Sequence, residues 1–111
     1  MNYQVSYSAK SLEDLKSLYE YIAFVLLAPD TAKKQAQRIM DSISSLSFMP
    51  QRYKIYEEAP WDEMGLRCFR VDNYMIYYLI FLDIQTVYVV RVIYGGRDIR
   101  TQLQEIPIDD F

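Results

Sequence analysis

Ala28-Pro29-Asp30 falls between two stretches of helical period, and that interruption constrains the fold more than any other feature of the chain. Upstream, Leu12, Leu15, Tyr19, Ile22 and Leu26 recur at steps of three and four, with Glu13, Asp14, Lys16 and Glu20 between them, which lays one apolar stripe along a helix. Downstream, Ala32, Ala36, Ile39, Ile43 and Leu46 do the same, up to a stop near Phe48-Met49-Pro50. Proline pushes its predecessor out of the α region and favours the first turn of a new helix, so the pattern is two helices rather than one. Joined by so short a break, they can only pack antiparallel, as a hairpin with one shared apolar side. Ser8 offers a capping oxygen at the start of the first helix, and Glu13 and Asp14 suit the positive end of its dipole.

The rest of the chain changes period. Residues 3–7 alternate Tyr3, Val5 and Tyr7 with Gln4 and Ser6, the pattern of a half-buried strand. Residues 50–64 hold Pro50, Pro60 and two acidic pairs without a sustained period, and read as a loop pinned by Tyr53, Tyr56 and Trp61. After Gly65, three segments rich in β-branched and aromatic residues, 66–71, 74–82 and 86–94, are separated by short polar breaks and predict consecutive antiparallel hairpins. Gly95-Gly96 ends the last strand, and residues 97–103 form a short helical or irregular turn. The expected fold is α+β in the order β-α-α-β-β-β, a helical hairpin packed on an antiparallel sheet. Residues 1–103 make a single domain and 104–111 an acidic tail. One sheet face lies against the hairpin, and the other is open unless the tail or a partner covers it.

Composition excludes much chemistry. With no His and one Cys, Cys68, there is no disulfide framework, no zinc site of ordinary composition and no His-based triad; no metal or cofactor is expected. Twelve basic residues face fifteen acidic ones, and Glu105, Asp109 and Asp110 in the tail account for the difference. A neutral body argues against a dedicated nucleic-acid binder, which normally carries a strong basic excess. No apolar run approaches the roughly 20 residues of a membrane span, and the N-terminus lacks the features of a secretory signal. The expectation is a soluble cytoplasmic protein with no membrane partner.

Five short motifs then carry a resemblance: Y-x-V-x-Y-S from residue 3, D-L-K-S-L-Y-E-Y-I-A from 14, I-x-x-L-x-F-M-P from 43, V-D-N-Y-M-I-Y-Y from 71 and V-V-R-V-I-Y-G-G-R-D from 89. In this order, across residues 3 to about 103, the chain resembles the RelE/ParE superfamily of toxins from bacterial type II toxin-antitoxin modules. The resemblance implies a growth-inhibiting toxin held inactive by a cognate antitoxin that wraps its helices and sheet. RelE-like members are ribosome-dependent endoribonucleases that cut mRNA in the A site. ParE-like members poison DNA gyrase and are not enzymes of RNA cleavage.

Metal-free RNA cleavage needs a base for the 2′-hydroxyl, a cation for the phosphorane and an acid for the leaving oxygen. The resemblance aligns the basic nuclease positions of the sheet with Leu66, Cys68 and Met75, and a thioether or thiol cannot neutralise a phosphorane. Inhibition of DNA gyrase is therefore the leading expectation. The alternative is a ribosome-dependent mRNA endoribonuclease using Arg97, Tyr94, Arg67 and Lys54, although a phenol with an unperturbed pKa near ~10 is a poor base at neutral pH. A third reading is a decayed toxin that still binds its antitoxin. Candidates for antitoxin or target binding are Met75, Tyr77 and Leu79, taken as an apolar patch on the open face, with Arg67, Arg70, Arg91, Arg97 and Arg100. The bland reading of those arginines is surface or strand-edge contact. Cys68 reads as an ordinary apolar strand residue, and most of the tyrosines as core.

Residues 104–111 contain three acids and Pro107, lack a regular period and follow the last strand, so few backbone hydrogen bonds depend on them. The competing arrangement folds Ile106, Ile108 and Phe111 back onto the open face, where full burial would contribute several kcal/mol. A deletion ending at Leu103 is expected to melt within a few degrees of the full chain; a large fall or aggregation would place those three side chains in the core.

Overall fold

A four-residue strand, β1 (Gln4–Tyr7), is closed by Ser8, whose hydroxyl accepts from Ser11 N at 2.9 Å and so caps helix α1 (Ala9–Glu20) as expected. The computed structural model describes residues 2–95 and 99–104; residues 105–111, and with them nearly all of the tail, lie outside the described residues. α1 runs into a π-helical turn, Tyr21–Val25, and α2 (Pro29–Ser44) starts with its proline in the first turn. Two 3-10 turns, Ser45–Ser47 and Pro50–Arg52, lead out of α2. Arg52 ties them off, donating from Nη1 to the carbonyls of Ser45, Phe48 and Met49, acceptors that the helix end leaves unsatisfied. The meander follows as β2 (Arg67–Val71), β3 (Tyr74–Phe81) and β4 (Thr86–Tyr94), and helix α3 (Ile99–Gln104) supplies the helical turn expected there.

The sheet order is β1-β4-β3-β2. The meander is antiparallel, as its short breaks dictate, whereas β1 joins β4 in parallel, with Val5 opposite Val87. A parallel neighbour requires a long connection between the paired strands, and here the helices, the loop and two strands intervene. β3 and β4 shift register between Tyr77 and Tyr78, which face Arg91 and Val89 and leave Val90 as a bulged residue.

β1 ends opposite Val89, so among the described residues no strand lies beside the outer edge of β4 beyond that point. Side chains from the start of α1 take the place of a strand. Ser8 Oγ donates to Val90 O at 2.8 Å, and Asp14 Oδ2 accepts from Val92 N at 2.9 Å. The guanidinium of Arg91 closes on the same carboxylate at 2.7 and 2.9 Å, and its Nη1 donates to Gln102 O of α3 at 2.8 Å. Arg91 is thus not the surface residue expected. Its side chain is 4% exposed because the bulge and the end of β1 place it between two helices.

The hairpin face of the sheet is the main core. Leu15, Leu18 and Ile22 from the first helical segment and Ala32, Ile39, Ile43 and Leu46 from the second meet Phe69, Ile76, Tyr78, Val87, Val89 and Val92. The second stripe is buried as its period requires, with Ala36 half-buried. Leu12 and Tyr19 of the first stripe are exposed instead, because α1 turns Ser11, Leu15 and Leu18 inward, and Leu26 is exposed beyond the π-helical turn. The opposite face is not open either. Loop residues Trp61 and Leu66 and the α3 residue Leu103 cover Cys68, Tyr77, Leu79, Val90 and Ile93, forming a second core. Tyr77 and Leu79, 1% and 5% exposed, therefore offer no free apolar patch, and Met75 is half-buried. Each aliphatic or aromatic side chain so buried contributes about 1.5–3 kcal/mol relative to exposure.

Removing one partner of a buried pair leaves an uncompensated charge and costs about 3–5 kcal/mol. Arg91→Met is expected to strand Asp14, only 12% exposed, and to lower the melting temperature by more than about 10 °C in a domain of this size. The double variant Asp14→Asn with Arg91→Met keeps an acceptor for Val92 N and removes both charges, so thermal melts should find it more stable than Arg91→Met alone.

Candidate functional site

The π-helical turn after α1 decides where the apolar surface of this chain lies. A π turn accommodates an extra residue, and here Leu26 N donates to Tyr21 O and Ala28 N to Ile22 O, both at 3.0 Å, before Leu27 takes a left-handed φ of 54°. Phe24 and Leu27 swing outward to 68% and 81% exposure, with Tyr21, Val25 and Leu26 also largely exposed. Soluble proteins rarely leave so contiguous an apolar surface without a use. The sequence carried a signal for it: residues 22–28 are apolar without interruption, more than one helical stripe can bury.

This apolar tip continues into a groove of about 840 Å³ between the helical hairpin and the ends of β3 and β4. Leu18, Tyr21 and Leu26 form one wall, Gln35 of α2 contributes a polar edge, and Tyr74 and Tyr94 form the other wall. Those two rings meet edge to face with centroids 5.6 Å apart. The Asp14–Arg91 pair closes the groove where α1 reaches β4.

A smaller groove of about 330 Å³ begins where the first ends, sharing Asn73 and Tyr94 with it and adding Arg70, Met75 and Gly95. Gly95 N donates to Asn73 O at 2.8 Å, and a Cβ at this position would stand 3.3 Å from that oxygen, so glycine allows the close approach. Arg70 Nε donates to Asp72 O at 2.6 Å, and its Nη2 lies 3.4 Å from Asn73 Oδ1. The Asp72 carboxylate is engaged elsewhere, accepting from Gln35 Nε2 at 2.8 Å and Arg38 Nε at 2.9 Å. Those bonds, Gln35 first and Arg38 second, hold its carboxyl below the usual carboxylate range. The β2–β3 turn is thereby fixed to α2.

The candidate nuclease groups do not converge. Lys54 is exposed in the loop beside β2, where its carbonyl accepts from Cys68 N. Arg67 spends its guanidinium on the carbonyls of Tyr53 and Gln51, at 2.6 and 3.2 Å. Tyr94 stands at the other end of the sheet: Arg67 faces Tyr78 and Tyr94 faces Tyr74, a displacement of about 13 Å along β3 at the usual strand rise. Arg97 lies outside the described residues. Arg100 pairs with Glu58 at 2.8 Å and sits over the Trp61 ring, bracing α3 against the loop. Leu66 and Cys68, aligned with basic nuclease positions, are buried, and burial pushes the Cys68 thiol up, with Lys54 partly opposing. Burial likewise raises the Tyr77 phenol, so neither group ionises readily near neutrality. Among the described residues no three potential ligands cluster to hold a metal, and no helix is long and apolar enough to cross a membrane.

The family model for the ParE toxin of the type II toxin-antitoxin system parDE matches residues 5–99. Among solved structures, the chain is similar to the chromosomal ParDE system from P. aeruginosa, with a TM-score of 0.69 and 19% identity over 83% of this chain and 95% of that one. It is similar to the RelBE2 toxin-antitoxin complex from Mycobacterium tuberculosis, with a TM-score of 0.61 and 22% identity over 85% and 99%. An archaeal RelE-RelB complex from Pyrococcus horikoshii OT3 gives a TM-score of 0.60 and 16% identity over 88% and 100%. At these identities the likeness is one of fold. A sequence comparison with curated proteins gives no match.

Tyr78 gives the site's scaffold an alkaline limit. Its hydroxyl donates to Pro50 O at 2.6 Å, and burial pushes its pKa up to about 12 against the opposing pull of Arg67 and Arg52. In the unfolded chain a phenol ionises near ~10. Between that pH and about 12 the unfolded state gives up a proton that the folded state keeps, so this stabilisation is full below pH ~10 and is lost as pH rises. Melting temperatures should fall across this interval, and Tyr78→Phe, less stable at pH 8 for want of the hydrogen bond, should show the shallower fall.

Proposed function

The chain belongs to the family of ParE toxins of type II toxin-antitoxin systems, and on that premise we propose that it acts by binding rather than by chemistry, inhibiting DNA gyrase by stabilising its cleaved-DNA state. One observation carries this reading. The sheet positions that the RelE/ParE resemblance aligns with basic nuclease groups are Leu66, Cys68 and Met75, and the first two are sealed inside a second core. A buried leucine and a buried thiol of raised pKa supply neither the cation nor the base that phosphoryl chemistry requires. The separation of Arg67 from Tyr94 supports the same reading. A ribosome-dependent endoribonuclease is the rival, and it would need a reaction centre assembled from groups at opposite ends of β3.

The same proposal assigns the groove and its apolar tip to a cognate antitoxin. The three solved relatives are described as toxin-antitoxin systems or complexes, and here Phe24, Leu26 and Leu27 present the uncovered apolar surface that such a partner would bury. The site differs from the patch expected on the sheet, because Tyr77 and Leu79 are already covered by this chain's own loop and α3.

Expression without antitoxin is expected to arrest growth and filament cells through the DNA-damage response. Purified toxin should block supercoiling by gyrase and accumulate cleaved DNA, while leaving mRNA intact on translating ribosomes. Prompt translation arrest with A-site cuts and unimpaired gyrase would replace this reading with the nuclease one.

A further inference from the structure

We propose that Arg70 is a specificity-determining anchor for a single carboxylate carried by the segment that fills the groove. The inference rests on the reading that this occupant is the antitoxin. Most of the described arginines are already engaged. Arg91 is paired with Asp14, Arg38 with Asp72, Arg100 with Glu58 and Lys10 with Glu13. Arg52 and Arg67 are wrapped around backbone carbonyls that hold the loop. Arg70 is different: it is exposed, it lines the smaller groove, and its two hydrogen bonds go to a backbone carbonyl and a carboxamide oxygen. No carboxylate faces it among the described residues.

The surroundings match an incoming carboxylate. Asn73 turns its oxygen to Arg70, which leaves its amide N–H groups as donors, and Tyr94 lines the same rim. Arg70, Asn73 and Tyr94 thus border one small groove, and a guanidinium binds a carboxylate through paired hydrogen bonds. Asn73 and Tyr94 border both grooves, so a chain lying along the apolar wall of Leu18 and Tyr21 and passing the Tyr74–Tyr94 pair arrives at Arg70. A phosphodiester backbone fits less well. Nucleic acid requires several cations along its track, whereas among the described residues that line either groove Arg70 is the one cation without a carboxylate partner. The occupant is accordingly an apolar peptide segment followed by an aspartate or glutamate, and Arg70 discriminates between antitoxins that place that acid correctly and those that do not.

The test uses the full chain and, as probe, the antitoxin encoded by the adjoining reading frame, titrated by calorimetry at two salt concentrations. Arg70→Gln is expected to weaken binding about 10- to 100-fold and to flatten its salt dependence, with Arg70→Lys losing less. Amide replacement of one antitoxin carboxylate should cause a similar loss, and combining it with Arg70→Gln should add less than about twofold. Circular dichroism on each variant checks folding. An Arg70→Gln affinity within twofold of the parent, or losses that add with every antitoxin carboxylate, overturns the anchor. So does a selective loss of binding to a labelled 20-bp DNA duplex with antitoxin affinity intact. Tyr21→Asp separates the two levels: if it weakens the antitoxin while Arg70→Gln does not, the anchor fails alone, and if it has no effect the groove reading falls and the anchor with it.

Discussion

The carboxylate of Asp14 holds three elements of this fold together. β1 is too short to accompany β4 along its length, and past Val89 the outer edge of a central strand would face the protein with unpaired backbone groups. Asp14 accepts the Val92 N–H, which makes the first turns of α1 a substitute for the missing strand. A buried carboxylate is itself costly, and Arg91 neutralises it from the bulge in the same strand while reaching Gln102 of α3. The angle of α1 against the sheet, the start of the groove and the docking of α3 therefore depend on one charge pair.

That arrangement has a consequence for function. With α3 and the loop held over the second face, Cys68, Tyr77, Leu79, Val90 and Ile93 are covered, while Arg70, Asn73 and Tyr94 stay accessible where β2, β3 and β4 meet the smaller groove. Apolar surface, by contrast, is concentrated at the tip of the helical hairpin, where the π turn puts one more residue into the chain than the core can take in. The exposed apolar knob formed by Phe24, Leu26 and Leu27 adjoins the larger groove, and the Arg70 guanidinium lines the smaller one. Such a surface suits partner recognition, in which apolar burial supplies affinity and a placed charge supplies discrimination.

Much of the fold was legible in the residues. The Ser8 cap, the proline break, the buried stripe of Ala32, Ile39, Ile43 and Leu46, and the meander all follow from local chemistry or from period, and they appear where that chemistry puts them. The candidate site was much less legible. Tyr77 and Leu79 alternate correctly to lie opposite the helices, yet period cannot say whether a loop of irregular sequence will cover them. Arg91 reads as a strand-edge cation because nothing local shows that its partner lies at position 14. Leu26 fits the helical stripe, and only the insertion of a π turn removes it from the core.

What the sequence determined by itself was therefore the set of elements, their order and the kinds of chemistry available, because caps, breaks and periods act over a few neighbouring residues. Tertiary structure decided which face stayed open, which arginines were consumed and where the grooves opened. Those outcomes depend on contacts between residues far apart in the chain, such as Asp14 with Arg91, Gln35 with Asp72 and Tyr78 with Pro50. The difference is physical: a half-buried strand writes the same alternation whichever side is covered, and a guanidinium carries the same charge whether a carboxylate waits beside it or not.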